Sequence, residues 1–523
     1  MNRLNSSFIL LLLLAAFLIR VVALGRVPPP LFRDEAEKGY NAYCLLKTGC
    51  DYQGRRLPLF VNVFGAHTSA LYQYASVPWI GLFGLKVWTT RLTAALVGVL
   101  TVFVLYLLGR ALFDPATALV AAAILAVSPW HVCFSRWAQQ GILMPLLFTV
   151  AAWGTVRFRQ GWRAGLPIAA AAVALAAYAY DVGRVLAPLF LLLLVVIARR
   201  ELREQARWTV ASALLLAILV APTLWFVTHQ PEEAMARFRR ISIAQPGMTP
   251  PEVAGRFIAN YAAHFDPLYL AWRGDRELRH STGLTGEIYP LELLFFLLGL
   301  CFLARRRDAA TAMVIGWLLI APIAASMTRE GIPHALRSLA GVPAFALGIA
   351  VGFVEVVHRL SGKSKFWTIV IVASIEAAGA AFFLYGYFAV YPRLSAPSWQ
   401  AGVGEALAYC DSRDQPDGEI WISEAVGGMV MPPEMISPAE LFVAFYERIP
   451  PRPFQQSRLR QTRFRVVPYG ASLSDLLTRA KTKPMDIVAF VQEMPNRAPV
   501  ASFGAEWPIQ APVAVHQVGV YRP

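Results

Sequence analysis

Charge is scarce in this chain. Lys, Arg, Asp and Glu make up 15% of its 523 residues, where a water-soluble protein carries about a quarter, and that deficit argues against a water-soluble globular protein. Cysteine is scarce as well. Cys44, Cys50, Cys133, Cys301 and Cys410 form no CxxC pair and no Cys/His ligand spacing, which argues against a zinc site. Cys44 and Cys50 read equally as a bridge in an oxidising compartment and as free thiols. No P-loop, GxGxxG or HExxH stands where its structural context would be right, so nothing supports nucleoside triphosphate use. Repeats and low-complexity segments are absent beyond Ala/Leu-rich stretches.

What the chain has is apolar length. Hydrophobic residues reach 57%, and apolar runs near the span of a bilayer recur. Eleven spans are read at 8–24, 92–109, 116–131, 142–156, 164–180, 186–198, 208–227, 288–304, 309–326, 338–357 and 367–390. The first is expected to be a retained helix rather than a cleaved signal, with Arg20 snorkelling near its end. The formal net charge of +15 would suggest nucleic acid in a soluble protein. Here the arginines gather in short loops, so topology and anionic lipid headgroups explain the charge, and no nucleic-acid partner is expected. Arg110, Arg157–Arg163, Arg199–Arg207, Arg305–Arg307 and Arg359–Lys365 mark every second loop. The positive-inside rule then puts the amino terminus in the cytoplasm and the carboxyl-terminal region outside.

Two domains follow from this pattern. Residues 1–390 form a membrane domain, with a first outer loop at 25–91 and a long outer loop at 228–287. Hydropathy then falls, and residues 391–523 read as a small soluble α/β domain with strands at 419–423, 485–491 and 513–521 and helices at 399–410 and 472–482. In the first loop, Pro28-Pro29-Pro30 stops the opening helix. An amphipathic helix follows at 35–47 and an interfacial one at 69–85. The fold class expected is mainly α and polytopic, with that α/β tail.

The chemistry-bearing residues all fall in loops placed on one side. Asp34 stands with Arg33 and Glu35 directly after the first span. It reads as a helix N-cap or as a general base, two roles that can coexist; Glu35 and Glu37 read as helix-surface charges. Arg279-His280 after Gly274-Asp275 can grip a phosphate or form a surface turn with a local Asp–Arg pair. His334 and Arg337 share a helix face, and Arg184 follows Tyr180 in a tight loop.

The combination resembles the C-type membrane glycosyltransferases of the protein mannosyltransferase and aminoarabinose transferase superfamily, in the branch of phospholipid-carrier-dependent enzymes. The resemblance covers about residues 8–390. It rests on Arg33-Asp34-Glu35-Ala36 with Gly39-Tyr40-Asn41-Ala42-Tyr43; on Ser128-Pro129-Trp130-His131 with Phe134-Ser135-Arg136; on His264-Phe265, Gly274-Asp275 and Arg279-His280-Ser281; and on Pro333-His334-Ala335-Leu336-Arg337. It implies a bacterial inner-membrane enzyme that moves a sugar, with inversion, from a polyprenyl phosphate to a glycan, lipid or protein acceptor. Asp34 is then the catalytic residue. Arg33, Glu35, His67, Arg136, Tyr180, Arg184, His264, Asp275, Arg279, His280, His334 and Arg337 are the substrate-binding candidates.

Two departures stand out. Gly65-Ala66-His67-Thr68 replaces a segment where relatives carry a phosphate-meeting lysine, a role left to His67, Arg279 or Arg337. Gln140 stands where a glutamate is usual, so no divalent metal is expected and the only cofactor-like group is the lipid-phosphate donor itself. The alternative reading is a transporter of lipid-linked sugars without transferase chemistry.

Overall fold

The computed structural model describes residues 3–412, 418–468, 485–490, 493, 498–503 and 517–521. The chain packs as two compact units. One holds residues 1–22, 94–136 and 140–386; the other holds 23–93, 137–139 and 387–523. The sequence division at residue 390 put the first outer loop in the membrane domain. The packing instead gathers that loop with the carboxyl-terminal region.

The first unit is helical. Among the described residues of the whole chain, six segments are long and apolar enough to cross a membrane: Val87–Leu112, Gln140–Arg159, Ala206–His229, Ala309–Ser326, Ala335–His358 and Gly362–Ser395. Ser7–Val21, Gly165–Ala179 and Gly183–Ile197 are apolar but shorter. Each expected span falls on helix, and the protein is a multi-pass membrane protein. One span departs from its expected form. Residues 116–131 are not one helix: Pro115–Val127 ends and Pro129–Ser135 leaves at 58°. Ser128 causes the break locally, because its Oγ accepts the His131 N–H at 3.3 Å while Pro129 supplies no donor to the preceding turn.

Helices approach closely where side chains are absent. Gly299, Gly348 and Gly352 let Pro290–Arg306 and Val342–His358 meet backbone to backbone; a Cβ on Gly299 would overlap the Gly348 carbonyl. Trp317 is fully buried beside the stacked Phe148 and Phe190 rings, and its indole N–H donates to the Ala340 carbonyl at 2.8 Å. Arg20 does not snorkel. It is fully buried, and its guanidinium bonds the carbonyls of Ala16, Leu125 and Ala126 and Nδ1 of His131.

The second unit is built on the helix Arg33–Thr48. Tyr40 lies against Phe454 and donates its hydroxyl to the Ile449 carbonyl at 3.0 Å. Gly39 is needed because a Cβ there would stand 2.5 Å from the Phe445 ring. A hairpin of β1 (Phe60–Val63) and β2 (Ala66–Ser69) turns at Phe64-Gly65, both with positive φ. The helix Leu71–Phe83 follows it.

The carboxyl-terminal sheet contains β3 (Glu419–Ser423), β4 (Phe464–Val467), β5 (Met485–Phe490), β6 (Ala501–Phe503) and β7 (Val518–Tyr521), in the order β4-β3-β5-β7-β6. β3 runs parallel to β4 and β5, and β7 antiparallel to β5 and β6. The expected helix 399–410 appears as Val403–Asp411. The expected helix 472–482 lies outside the described residues. All five cysteines are free.

Candidate active site

The acidic motif opens the helix Arg33–Thr48, and the prolines before it decide its surroundings. Pro28, Pro29 and Pro30 bring no backbone N–H, so nearby carbonyls need donors from elsewhere. Arg91 supplies them, donating to the carbonyls of Leu24, Pro28 and Pro29 at 2.7–3.1 Å. The same guanidinium holds Glu35 in a two-pronged pair, Nε to Oε1 at 2.8 Å and Nη2 to Oε2 at 2.7 Å. Phe32 N–H reaches Oε2 and Ala138 N–H reaches Oε1. A carboxylate offers about four acceptor sites, and those of Glu35 are filled.

Glu35 is therefore not a surface charge or a residue with capacity left for substrate; it is fully buried and structural. Glu37, also expected at the surface, is fully buried too. Its Oε1 accepts from Asn41 at 2.6 Å and Gln73 at 3.1 Å, and Lys38 Nζ lies 3.5 Å from Oε2. Burial pushes the Glu37 carboxyl up, against the pull of Lys38 and the two amides.

Asp34 is different. It sits in the first helical turn, not at the cap: Phe32 is the N-cap, and Glu35 accepts its N–H. The Asp34 side chain is 28% exposed, and Arg33 Nε stands 3.8 Å from its Oδ1. Among the described residues no hydrogen bond reaches its carboxylate. The helix N-terminus beneath it favours negative charge. Arg33 is drawn elsewhere, its N–H to Gln400 Oε1 at 3.1 Å and its guanidinium to the Gly428 carbonyl at 3.0 Å. His67 lies on β2, nearly buried, with Nε2 3.2 Å from Arg55 Nη1.

The first unit carries a separate cluster of cationic and imidazole groups. Asp275 is its anchor. Oδ2 meets His280 Nδ1 at 2.9 Å and accepts the Ala335 N–H at 2.9 Å; Oδ1 accepts the Glu277 N–H. Burial opposes its charge, but His280 and these N–H donors together hold the carboxyl below its ordinary range. His264 donates from Nδ1 to the Asn260 carbonyl at 2.8 Å, because its Nε2 accepts the His334 N–H at 3.1 Å. His334 caps the short helix Ala335–Ser338 through Nδ1 and lies 4.7 Å from the His280 ring. Burial, with His280 and Arg337 beside it, holds His334 well below the usual imidazole range. Arg337 is buried, bonds Thr328 Oγ1 at 2.6 Å and the Glu330 carbonyl at 3.1 Å, and contacts the Tyr180 hydroxyl.

The structure thus brings Tyr180, His264, Asp275, His280, His334 and Arg337 together. Arg279 stands next to them, with its side chain on Glu277 at 3.0 Å; its partner is Glu277 rather than Asp275. Arg184 faces Asp181, the Ala234 carbonyl and the Phe226 ring. Arg136, expected to bind substrate, is fully buried and donates to the Ile19 and Val22 carbonyls at 2.6 and 2.7 Å, satisfying the open end of the helix Arg3–Val21.

Asp275, His280 and His334 offer ligand-type atoms within 4.8 Å of one another. Asp275 Oδ2 is already shared by two nitrogens, and Arg337 is close to His334.

Sequence reasoning missed Arg91, Gln73, Thr328 and Glu287. Glu287 accepts the Asp275 N–H at 2.9 Å, and burial drives its carboxyl well up. Only Arg91 left a signal: a lone arginine at the start of an apolar run is costly unless paired.

Residues 73–226 match the family model of dolichyl-phosphate-mannose-protein mannosyltransferase. No curated protein matches the chain in sequence. Among solved structures, ArnT from Cupriavidus metallidurans bound to undecaprenyl phosphate superposes with a TM-score of 0.58 at 14% identity, over 98% of this chain and 97% of that one. Its apo state gives 0.56 at 15% identity, over 98% of each chain. The archaeal oligosaccharyltransferase AglB from Archaeoglobus fulgidus, with an inhibitory peptide and a dolichol-phosphate, gives 0.51 at 14% identity, over 81% of this chain and 62% of that one.

Proposed function

We propose that this chain, which has the GT-C glycosyltransferase fold, transfers a sugar from a polyprenyl phosphate to an acceptor hydroxyl, with Asp34 as general base. One observation carries the reading. Of the three acids in the opening turns, Glu35 and Glu37 are fully buried and bonded, and Asp34 presents a carboxylate that no hydrogen-bond donor among the described residues reaches. A base has to reach the proton it removes. The ligands bound in the structures of similar fold, undecaprenyl phosphate and dolichol-phosphate, support the donor class.

In the proposed step the acceptor heteroatom attacks the anomeric carbon and its proton passes to Asp34. The bond from that carbon to the phosphate oxygen breaks, and the lipid phosphate leaves with the electron pair. Displacement from the opposite face inverts the carbon. Arg279, His280, His334 and Arg337 supply donors and positive charge for the departing phosphate. With Asp275 committed to two nitrogens and arginines nearby, that cluster suits an anion better than a metal ion, and the reaction is proposed to run without one. The enzyme is assigned to a bacterial inner membrane, with its carboxyl-terminal domain outside.

The test is Asp34→Asn in proteoliposomes supplied with a polyprenyl-phosphate sugar. Transfer should fall by at least 10²-fold with an unchanged unfolding temperature. Undiminished turnover would remove Asp34 from the mechanism. Movement of the lipid-linked sugar across the membrane without any transfer would favour the transporter reading.

A further inference from the structure

The helices Gly165–Ala179, Gly183–Ile197 and Ala206–His229, with Thr155 of the helix Leu143–Arg159 beside them, leave an apolar groove of about 250 Å³. Ala170, Val173, Leu194 and Leu216 line its walls, and Thr155 and Ser212 lie at its floor. One end is bounded by Ala198 and Leu202, on and beside the short helix Arg199–Glu204. That end carries Arg199, Arg200, Arg203 and Arg207, all exposed. Two acids stand among them: Glu201 is engaged by Arg159 at 3.0 Å, and Glu204 is exposed between Arg203 and Arg207, so four arginines face one carboxylate that is unengaged among the described residues.

Two features point to a ligand. Thr155 and Ser212 are at most 4% exposed, and neither hydroxyl has a hydrogen-bond partner among the described residues. Helical hydroxyls in apolar surroundings normally return to a backbone carbonyl, as those of Thr149 and Thr209 do. An unpaired buried hydroxyl is costly. Ser212 lies five residues beyond Arg207, about 7.5 Å along a helix, and Thr155 four residues before Arg159. This is the order of a glycerophospholipid, in which the phosphate stands outside the ester groups and the acyl chains run inward. A groove this apolar does not hold water, and a groove at a bilayer surface is filled by whatever chain fits it.

We propose that this groove binds an anionic glycerophospholipid: an acyl chain between the three helices, ester carbonyls on the hydroxyls of Thr155 and Ser212, and the phosphate against Arg203 and Arg207. The site is independent of the sugar-transfer reading.

Native mass spectrometry of the full-length protein, released from nanodiscs of phosphatidylglycerol and phosphatidylcholine mixed equally, reads the bound lipid directly. Wild type should retain one phosphatidylglycerol at least fivefold over phosphatidylcholine. Ala170→Phe should lose it, and Arg203→Gln with Arg207→Gln should bring the two lipids to equal retention. Thr155→Val with Ser212→Ala, which leaves the packing nearly unchanged, should remove any preference for ester-linked over ether-linked phosphatidylglycerol. Thermal unfolding in the same nanodiscs checks that each variant is folded. The proposal is overturned if wild type keeps the two headgroups equally, if folded Ala170→Phe keeps its lipid, or if only an added polyprenyl phosphate is retained.

Discussion

Glu35 and Arg91, 56 residues apart in sequence, meet in a fully buried two-pronged pair at 2.7 and 2.8 Å, and the same guanidinium holds three carbonyls around the proline run before the helix. The pair fixes where the helix Arg33–Thr48 begins and therefore where Asp34 projects. A buried ion pair adds little net stability over an apolar equivalent, but removing one partner leaves the other charge stranded.

Arg91→Met should therefore cost about 3–5 kcal/mol, seen as a large drop in unfolding temperature in detergent. Glu35→Gln should be milder but in the same direction. Both should lose activity in step with folded protein, whereas Asp34→Asn should lose activity alone. Equal stability of Arg91→Met and wild type would show that the pair is not structural.

Asp275 gives a pH-dependent test. Its folded carboxyl is held below the ordinary range by His280 and backbone N–H groups. A depressed acid contributes stability that is present above its unfolded pKa and is lost as pH falls through the folded one. The unfolding temperature of wild type should exceed that of Asp275→Asn at neutral pH. The gap should narrow on acidification below the ordinary carboxylate range, about pH 4. A gap independent of pH would mean that the ionised form is not what stabilises the loop.

The motif around Asp34 was legible because its residues are contiguous and follow a helix-stopping proline run. The roles of Glu35 and Glu37 were not, because burial depends on partners far along the chain: Arg91 for one, Gln73 for the other. The carbonyl contacts of Arg136 were hidden for a related reason. An arginine in a loop resembles a ligand for phosphate, and nothing local reveals that the carbonyls of Ile19 and Val22 lack donors. The break at Ser128-Pro129 was written in the sequence as a capping residue before a proline, yet apolar composition on both sides read as one span. The hairpin turns through Phe64-Gly65 rather than the Asn-Gly or Asp-Gly pair that marks such turns.

Gly299 tests the helix crossing. A methyl group there meets backbone on Val342–His358, which cannot rotate away as a side chain could. Gly299→Ala should cost about 1–3 kcal/mol as an overpacked contact, measured by thermal unfolding in detergent. Activity per folded molecule should hold. An unaltered melting temperature would imply that the two helices can separate freely.

Arg279 tests the phosphate assignment with the least structural ambiguity. Arg337 is buried and holds Thr328, so its loss would disturb the fold. Arg279 is partly exposed, and its partner Glu277 is itself near the surface. A hydrogen bond to a charged group is worth about 1.5–3 kcal/mol, so Arg279→Gln should weaken use of the donor by about tenfold to a hundredfold. If the arginine grips the phosphate equally before and during transfer, the loss falls on KM for the lipid donor and spares kcat. If it meets charge that develops only as the phosphate departs, kcat falls as well. Arg279→Lys should recover part of the effect, since it keeps the charge but not the fork. A variant with both constants unchanged would exclude Arg279 from the donor site and leave His280, His334 and Arg337 as the groups to examine.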